Sequence, residues 1–136
     1  MDSKLEQEKS NFGYDLIRND VLSELLGTEK ESLLYWLGKS IARSHSLESI
    51  DDIVDFFKRA EWGTLSLIKE KPYEKTFELE GPWMGKGDPR CYQLEAGFLA
   101  QQFESLTQSI AVAVLSEKRH LIHIQVTMDR YDEIDK

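Results

Sequence analysis

From Phe12 the chain turns apolar at helical spacing. Leu16, Ile17, Val21, Leu22, Leu25 and Leu26 predict a short helix docking on the core, with Asn19 or Asp20 as a cap and Gly27 as its stop. Thr28 to Glu31 spells a capping box, in which the Thr hydroxyl takes the N–H three residues on and the Glu reaches back. A helix is therefore predicted from Glu29, with Leu33, Leu34, Leu37 and Ile41 on one face and Trp36 at its flank, fading between Arg43 and His45. Ser46 or Ser49 then caps another helix. Its stripe is Leu47, Ile50, Ile53, Val54 and Phe57, its wet side Asp51, Asp52, Asp55 and Lys58, and its end lies near Trp62 and Gly63.

There the period drops to two. Thr64 to Leu67 alternates, and after Pro72 the stretch from Tyr73 to Glu80 does so again with Phe77 and Leu79 on one face, which predicts a hairpin. Gly81 to Pro89 holds three glycines and two prolines and is read as a loop. Asp88 and Pro89 open the next helix as cap and first residue, and Tyr92, Ala96, Leu99, Phe103, Leu106 and Ile110 mark its buried stripe. Glu95, Gln101, Gln102, Glu104 and Gln108 fall on the opposite, wet arc. Ile110 to Leu115 is apolar at both parities, which predicts a strand central in the sheet or covered on both faces. Leu121 to Met128 returns with Ile122, Ile124, Val126 and Met128 inward. The expected fold class is α+β, N-terminal helices and one later helix packed on a mostly antiparallel four-stranded sheet. Residues 1–11 read as a disordered N-terminal segment, 12–130 as a single domain and 131–136 as an acidic tail.

Composition narrows the function classes. A chain of 136 residues has the length of one domain, and a net charge of −8 works against the counterion exchange that drives nucleic-acid binding and against a hold on anionic lipid. The single cysteine, Cys91, has no intramolecular disulfide partner, and the N-terminal residues lack the basic and apolar regions of a signal peptide. A reducing, cytoplasmic setting is expected, and no apolar run is long enough for a membrane span.

No catalytic constellation emerges. His120 and His123 lie three apart on a strand, facing opposite sides with no further ligand at metal spacing, so no metal or other cofactor is expected. Gly85, Lys86 and Gly87 imitate a phosphate loop, but Asp88 puts a negative charge where phosphate would sit. Cys91 is placed in a helix first turn beside Arg90, where the dipole and that cation would lower its pKa. Trp36, Trp62, Trp83, Tyr92 and Phe98 are core, or some of them line an apolar cavity between helix and sheet.

Cys91-Tyr92-Gln93-Leu94-Glu95-Ala96-Gly97-Phe98-Leu99-Ala100, followed by the rest of a helix and two strands, resembles the core segment of 4-vinyl reductase domains and of transport-protein-particle (TRAPP) subunits. Over nearly its full length the chain is similar to the YslB-like family of small uncharacterised bacterial proteins. The resemblance implies a fold that serves small-molecule sensing in some relatives and scaffolding in others, with Gly97 where helix and sheet approach closely. Ala100-Gln101-Gln102 matches the vinyl-reductase helix only in part, and a further Cys-containing segment is absent. The resulting expectation is a non-enzymatic binding module, a homodimer holding a small apolar or acyl-type ligand lined by Trp83, Cys91, Tyr92 and Phe98. The alternative is an adaptor with a filled core, its interface on the N-terminal helices and on the small residues Gly38, Ser40 and Ala42.

Overall fold

The computed structural model describes residues 12–85 and 87–133. The expected disordered segment, 1–11, lies outside them. Residues 12–15 are helical and continue into a π-helical turn, Leu16–Val21, then into α1, Leu22–Leu26, and a 3-10 turn, Gly27–Glu29. Three longer helices follow: α2, Lys30–Ser44; α3, Ile50–Arg59; and α4, Gln93–Thr107. The strands are β1, Thr64–Lys71; β2, Glu74–Glu80; β3, Ser109–Glu117; and β4, Ile122–Glu133. They form one sheet in the order β1-β2-β4-β3 with every pairing antiparallel, so the α+β architecture read from the sequence holds.

Local chemistry explains α3. Ser49 is extended, its Oγ accepts the Asp52 N–H at 3.1 Å, and acids in the first turn and Lys58 and Arg59 in the last suit the helix dipole. The capping box expected at Thr28 does not form: Glu29 precedes α2, and no side chain caps that helix because the 3-10 turn already leads the backbone into it. Asp88 and Pro89 do not open α4 either. Asp88 Oδ1 accepts the Arg90 N–H at 3.0 Å in a local turn, and the helix starts at Gln93 after Tyr92.

α4 is the central layer, with α2 on one side and β3 and β4 on the other. Being enclosed, it is buried from Leu94 to Ala100 and again from Gln102 to Glu104, and its expected wet arc does not exist at Glu95, Gln102 and Glu104. Specific polar partners make this burial tolerable. Gln102 Nε2 donates to the His45 carbonyl at 2.8 Å, and its Oε1 accepts the Leu47 N–H at 3.1 Å, tying down the link from α2 to α3. Gly97 faces α2, not the sheet. A Cβ there would stand 1.9 Å from the Tyr35 carbonyl oxygen, and one at Gly38 would stand 2.1 Å from that of Leu94. The two glycines let the helix backbones meet inside one chain, so Gly38 and Ala42, both buried, are used up at this crossing rather than at a dimer seam.

Phe77, Leu79, Leu99, Phe103, Ile124 and Val126 fill the space between α4 and the sheet. β3 is an edge strand, contrary to the central position expected of its apolar run, and Val112 and Val114 are 53% and 61% exposed on the face away from the helices. β4 runs on to Glu133, which pairs with Ser109, so residues 131–133 extend the sheet where a tail was expected.

Candidate functional site

The N-terminal helical arm, from Phe12 to Leu26, docks through Tyr14, Leu22 and Leu26 and through a buried cation. Arg18, in the π turn, is 4% exposed; its Nη2 donates to Glu95 Oε1 at 2.5 Å and to the Cys91 carbonyl at 2.9 Å, and its Nη1 to the Tyr14 hydroxyl at 2.8 Å. Arg90 lies beside it, donating from Nη2 to Asp15 Oδ1 at 2.7 Å, its guanidinium 4.2 Å from the Trp83 ring centroid and 5.3 Å from that of Tyr14. One buried ion pair, a second whose aspartate is partly exposed, and a cation–aromatic stack thus clamp the arm to the start of α4. Burial alone would pull the Arg18 pKa down, but the Glu95 carboxylate and its hydrogen bond more than offset this and hold it above the usual arginine value. Arg18 Nε, Arg90 Nε and Nη1, Asn19 Oδ1 and Glu95 Oε2 are buried with no hydrogen-bond partner among the described residues.

A second polar chain adjoins the clamp. The Trp83 indole donates to the Tyr92 hydroxyl at 3.0 Å, and that hydroxyl donates to Asp88 Oδ2. Burial, then the bond to Asp88, pushes the Tyr92 pKa well above the ordinary phenol value. Cys91 is half-buried just before α4, and burial raises its pKa, overturning the expected depression: the thiol precedes the helix, and Arg90 is committed to Asp15. Tyr92 and Asp88 also line a cleft of about 90 Å³ with Gly85, Lys118 and Arg119.

The structure therefore brings Trp83 and Tyr92 into contact, with Cys91 at the neighbouring clamp. Phe98 is elsewhere, fully buried and stacked on Phe56 at 4.7 Å with Trp62 edge-on at 5.2 Å. Sequence reasoning missed Arg18 and Glu95. One is a lone cation in an apolar run and the other falls on the arc that the helical period makes wet, so no periodicity signals a pair. His123 lies 3.3 Å from Glu78, and no cluster with metal-holding geometry occurs among the described residues.

With Arg18 inward and only Tyr14, Leu22 and Leu26 of its large apolar side chains on the core, the arm turns the others out. Phe12, Ile17 and Leu25 are 63%, 58% and 75% exposed, and Leu16, Val21 and, on α2, Leu33 and Trp36 are exposed as well. Val21 and Leu25 share a shallow depression with Asp20 and Glu24.

Compared with known families, residues 11–129 match the model described as "Protein of unknown function (DUF2507)". The chain belongs to this DUF2507 family. Consistent with membership, it is 38% identical over 133 residues to the Uncharacterized protein YslB of Bacillus subtilis, covering 94% of this chain and 89% of the relative. Uncharacterized protein MJ1642 of Methanocaldococcus jannaschii is 26% identical over 98 residues, 68% of this chain but only 59% of that protein. Among solved structures, a vinyl-4-reductase family protein from the same archaeon superposes with a TM-score of 0.58 at 23% identity, covering 71% of this chain and 68% of that one. This likeness supports the fold read for the DUF2507 chain. Among the described residues no helix is long and apolar enough to cross a membrane.

Proposed function

We propose that this DUF2507 protein is a non-enzymatic binding module that acts as a protein adaptor through the outward face of its N-terminal arm. The observation that carries this is the outward face of the arm, with Arg18 buried and Ile17, Val21 and Leu25 in water. Seven large apolar side chains from Phe12 to Trp36 are more than a third exposed. Together they offer roughly several hundred Å² of apolar surface, the scale of the ~800 Å² that each partner contributes to a standard interface.

The ligand reading has less support. An acyl-type molecule lined by Trp83, Cys91, Tyr92 and Phe98 would need those residues around one space, yet Phe98 belongs to the aromatic core. The cleft at Tyr92 is about 90 Å³, far below the roughly 300 Å³ at which small-molecule pockets begin. A homodimer through paired arms is a second way to cover the stripe.

A photocrosslinking amino acid placed at Leu25 and, as control, at Asp51 on α3 tests the adaptor in cells. Protein adducts at Leu25 and none at Asp51 are expected. Equal adducts at both, or none at either, would remove the reading, and a small molecule retained in native mass spectra would favour the ligand.

A further inference from the structure

Charge around the stripe says what kind of partner it fits, given that the arm is the docking face as proposed above. Between Phe12 and Glu29 the only cation is Arg18, and it is turned inward against Glu95. The exposed ionisable groups of that stretch, Asp20, Glu24 and Glu29, are all acidic. Asp20 and Glu24 line the same depression as Val21 and Leu25, so an apolar floor has a carboxylate rim. Lys30, the first cation beyond, donates to Ser23 Oγ at 3.2 Å.

We infer that the arm receives an amphipathic helix of another protein, one with apolar residues at i, i+3 or i+4 and i+7 flanked by Lys or Arg. The apolar stripe supplies the buried area and the acidic rim sets the sign of the flanks. A second copy of this chain fits less well, because pairing the arm with itself would bring two acidic rims together and leave neither with a basic complement, with the net charge of −8 adding to the repulsion. An anionic bilayer is disfavoured for the same reason.

The test uses the full chain and two synthetic peptides of about five helical turns. Both carry the same leucine stripe, one with lysine flanks and one with glutamate flanks. Fluorescence anisotropy should show the basic peptide binding, weakened about tenfold by Asp20→Lys with Glu24→Lys, and abolished by Ile17→Glu with Leu25→Glu. Reversing Asp51 and Asp55 on α3 should leave binding unchanged, which separates a rim effect from net charge.

Equal binding of both peptides, or equal losses from the α3 and arm reversals, would overturn the basic helix. Sedimentation equilibrium gives the remaining outcomes. A dimer lost on Ile17→Glu, with no peptide bound, sinks the heterologous partner while leaving the arm as a docking face; a monomer that binds neither peptide sinks both.

Discussion

At the scale of single residues, the docked arm rests on charge. The Arg18 and Glu95 side chains are 2% and 0% exposed, so removing one partner strands the other in a low-dielectric site. Glu95→Ala is expected to cost about 3–5 kcal/mol, whereas the double change Arg18→Met with Glu95→Leu should cost much less, because no charge is left unpaired. Urea unfolding of the two variants checks this; equal losses would show that packing rather than charge sets the cost. The two raised acids make a pH prediction. Cys91 and Tyr92 hold their protons more tightly folded than unfolded, so their contribution is full below the unfolded values, about 8.5 and about 10, and is lost as pH rises past them. The urea midpoint should decline above pH ~8.5, more steeply above ~10, and Tyr92→Phe should flatten the upper part. An unchanged slope in that variant would exclude Tyr92 as its source. The thiol should alkylate more slowly in the folded chain than in urea, the opposite of an activated cysteine.

Among elements, the α2–α4 crossing depends on absent side chains. Alanine favours a helix over glycine by about 1 kcal/mol, but a Cβ at Gly97 would sit 1.9 Å from backbone oxygen, which cannot rotate away. The helices must separate, and overpacking of this kind costs about 1–3 kcal/mol or more. Gly97→Ala should therefore lower the thermal midpoint, and a stabilised variant would show that the crossing can open without loss. The same elements show what was readable beforehand. Ser49, with Ile53 and Phe57 on one stripe, marks α3 because the helix has one wet side and one dry side. α4 defeats that reading because it is enclosed on two sides, and its polar residues are dry through specific partners such as the His45 carbonyl for Gln102. In the arm, the Leu22 N–H reaches back five residues to the Ile17 carbonyl. A π turn winds more residues per turn than the period of 3.6 assumes, so of the stripe drawn from Leu16 to Leu26 only Leu22 and Leu26 reach the core, while Leu16, Ile17, Val21 and Leu25 turn outward.

For the whole molecule, the strand order explains a risk that the sequence pattern conceals. Ile110 to Leu115 has the pattern of a central strand because both parities are apolar, but topology depends on pairings far apart in the chain, and β4 takes the inner position. β3 is left as an edge with apolar residues outward, the kind of segment that recruits other strands. Its free side is blocked from within: Glu104 Oε2 accepts the Ala111 N–H and the Tyr35 hydroxyl accepts the Ala113 N–H, both at 3.1 Å. Helix side chains thus occupy donors that an incoming strand would need, so strand addition here must first break native bonds. Tyr35→Phe removes one acceptor at a cost of about 1 kcal/mol and should speed light scattering on mild heating. Val112→Lys, on the exposed face, should slow it in either background with little change in the urea midpoint. Were Tyr35→Phe to aggregate only in proportion to its lost stability, as judged against an equally destabilised variant such as Ser49→Ala, the blocked edge would not be what keeps the protein apart. Aggregation beyond that measure, reversed by the added lysine, would locate the protection at this edge and separate it from the arm, where apolar exposure is left unguarded on the same chain.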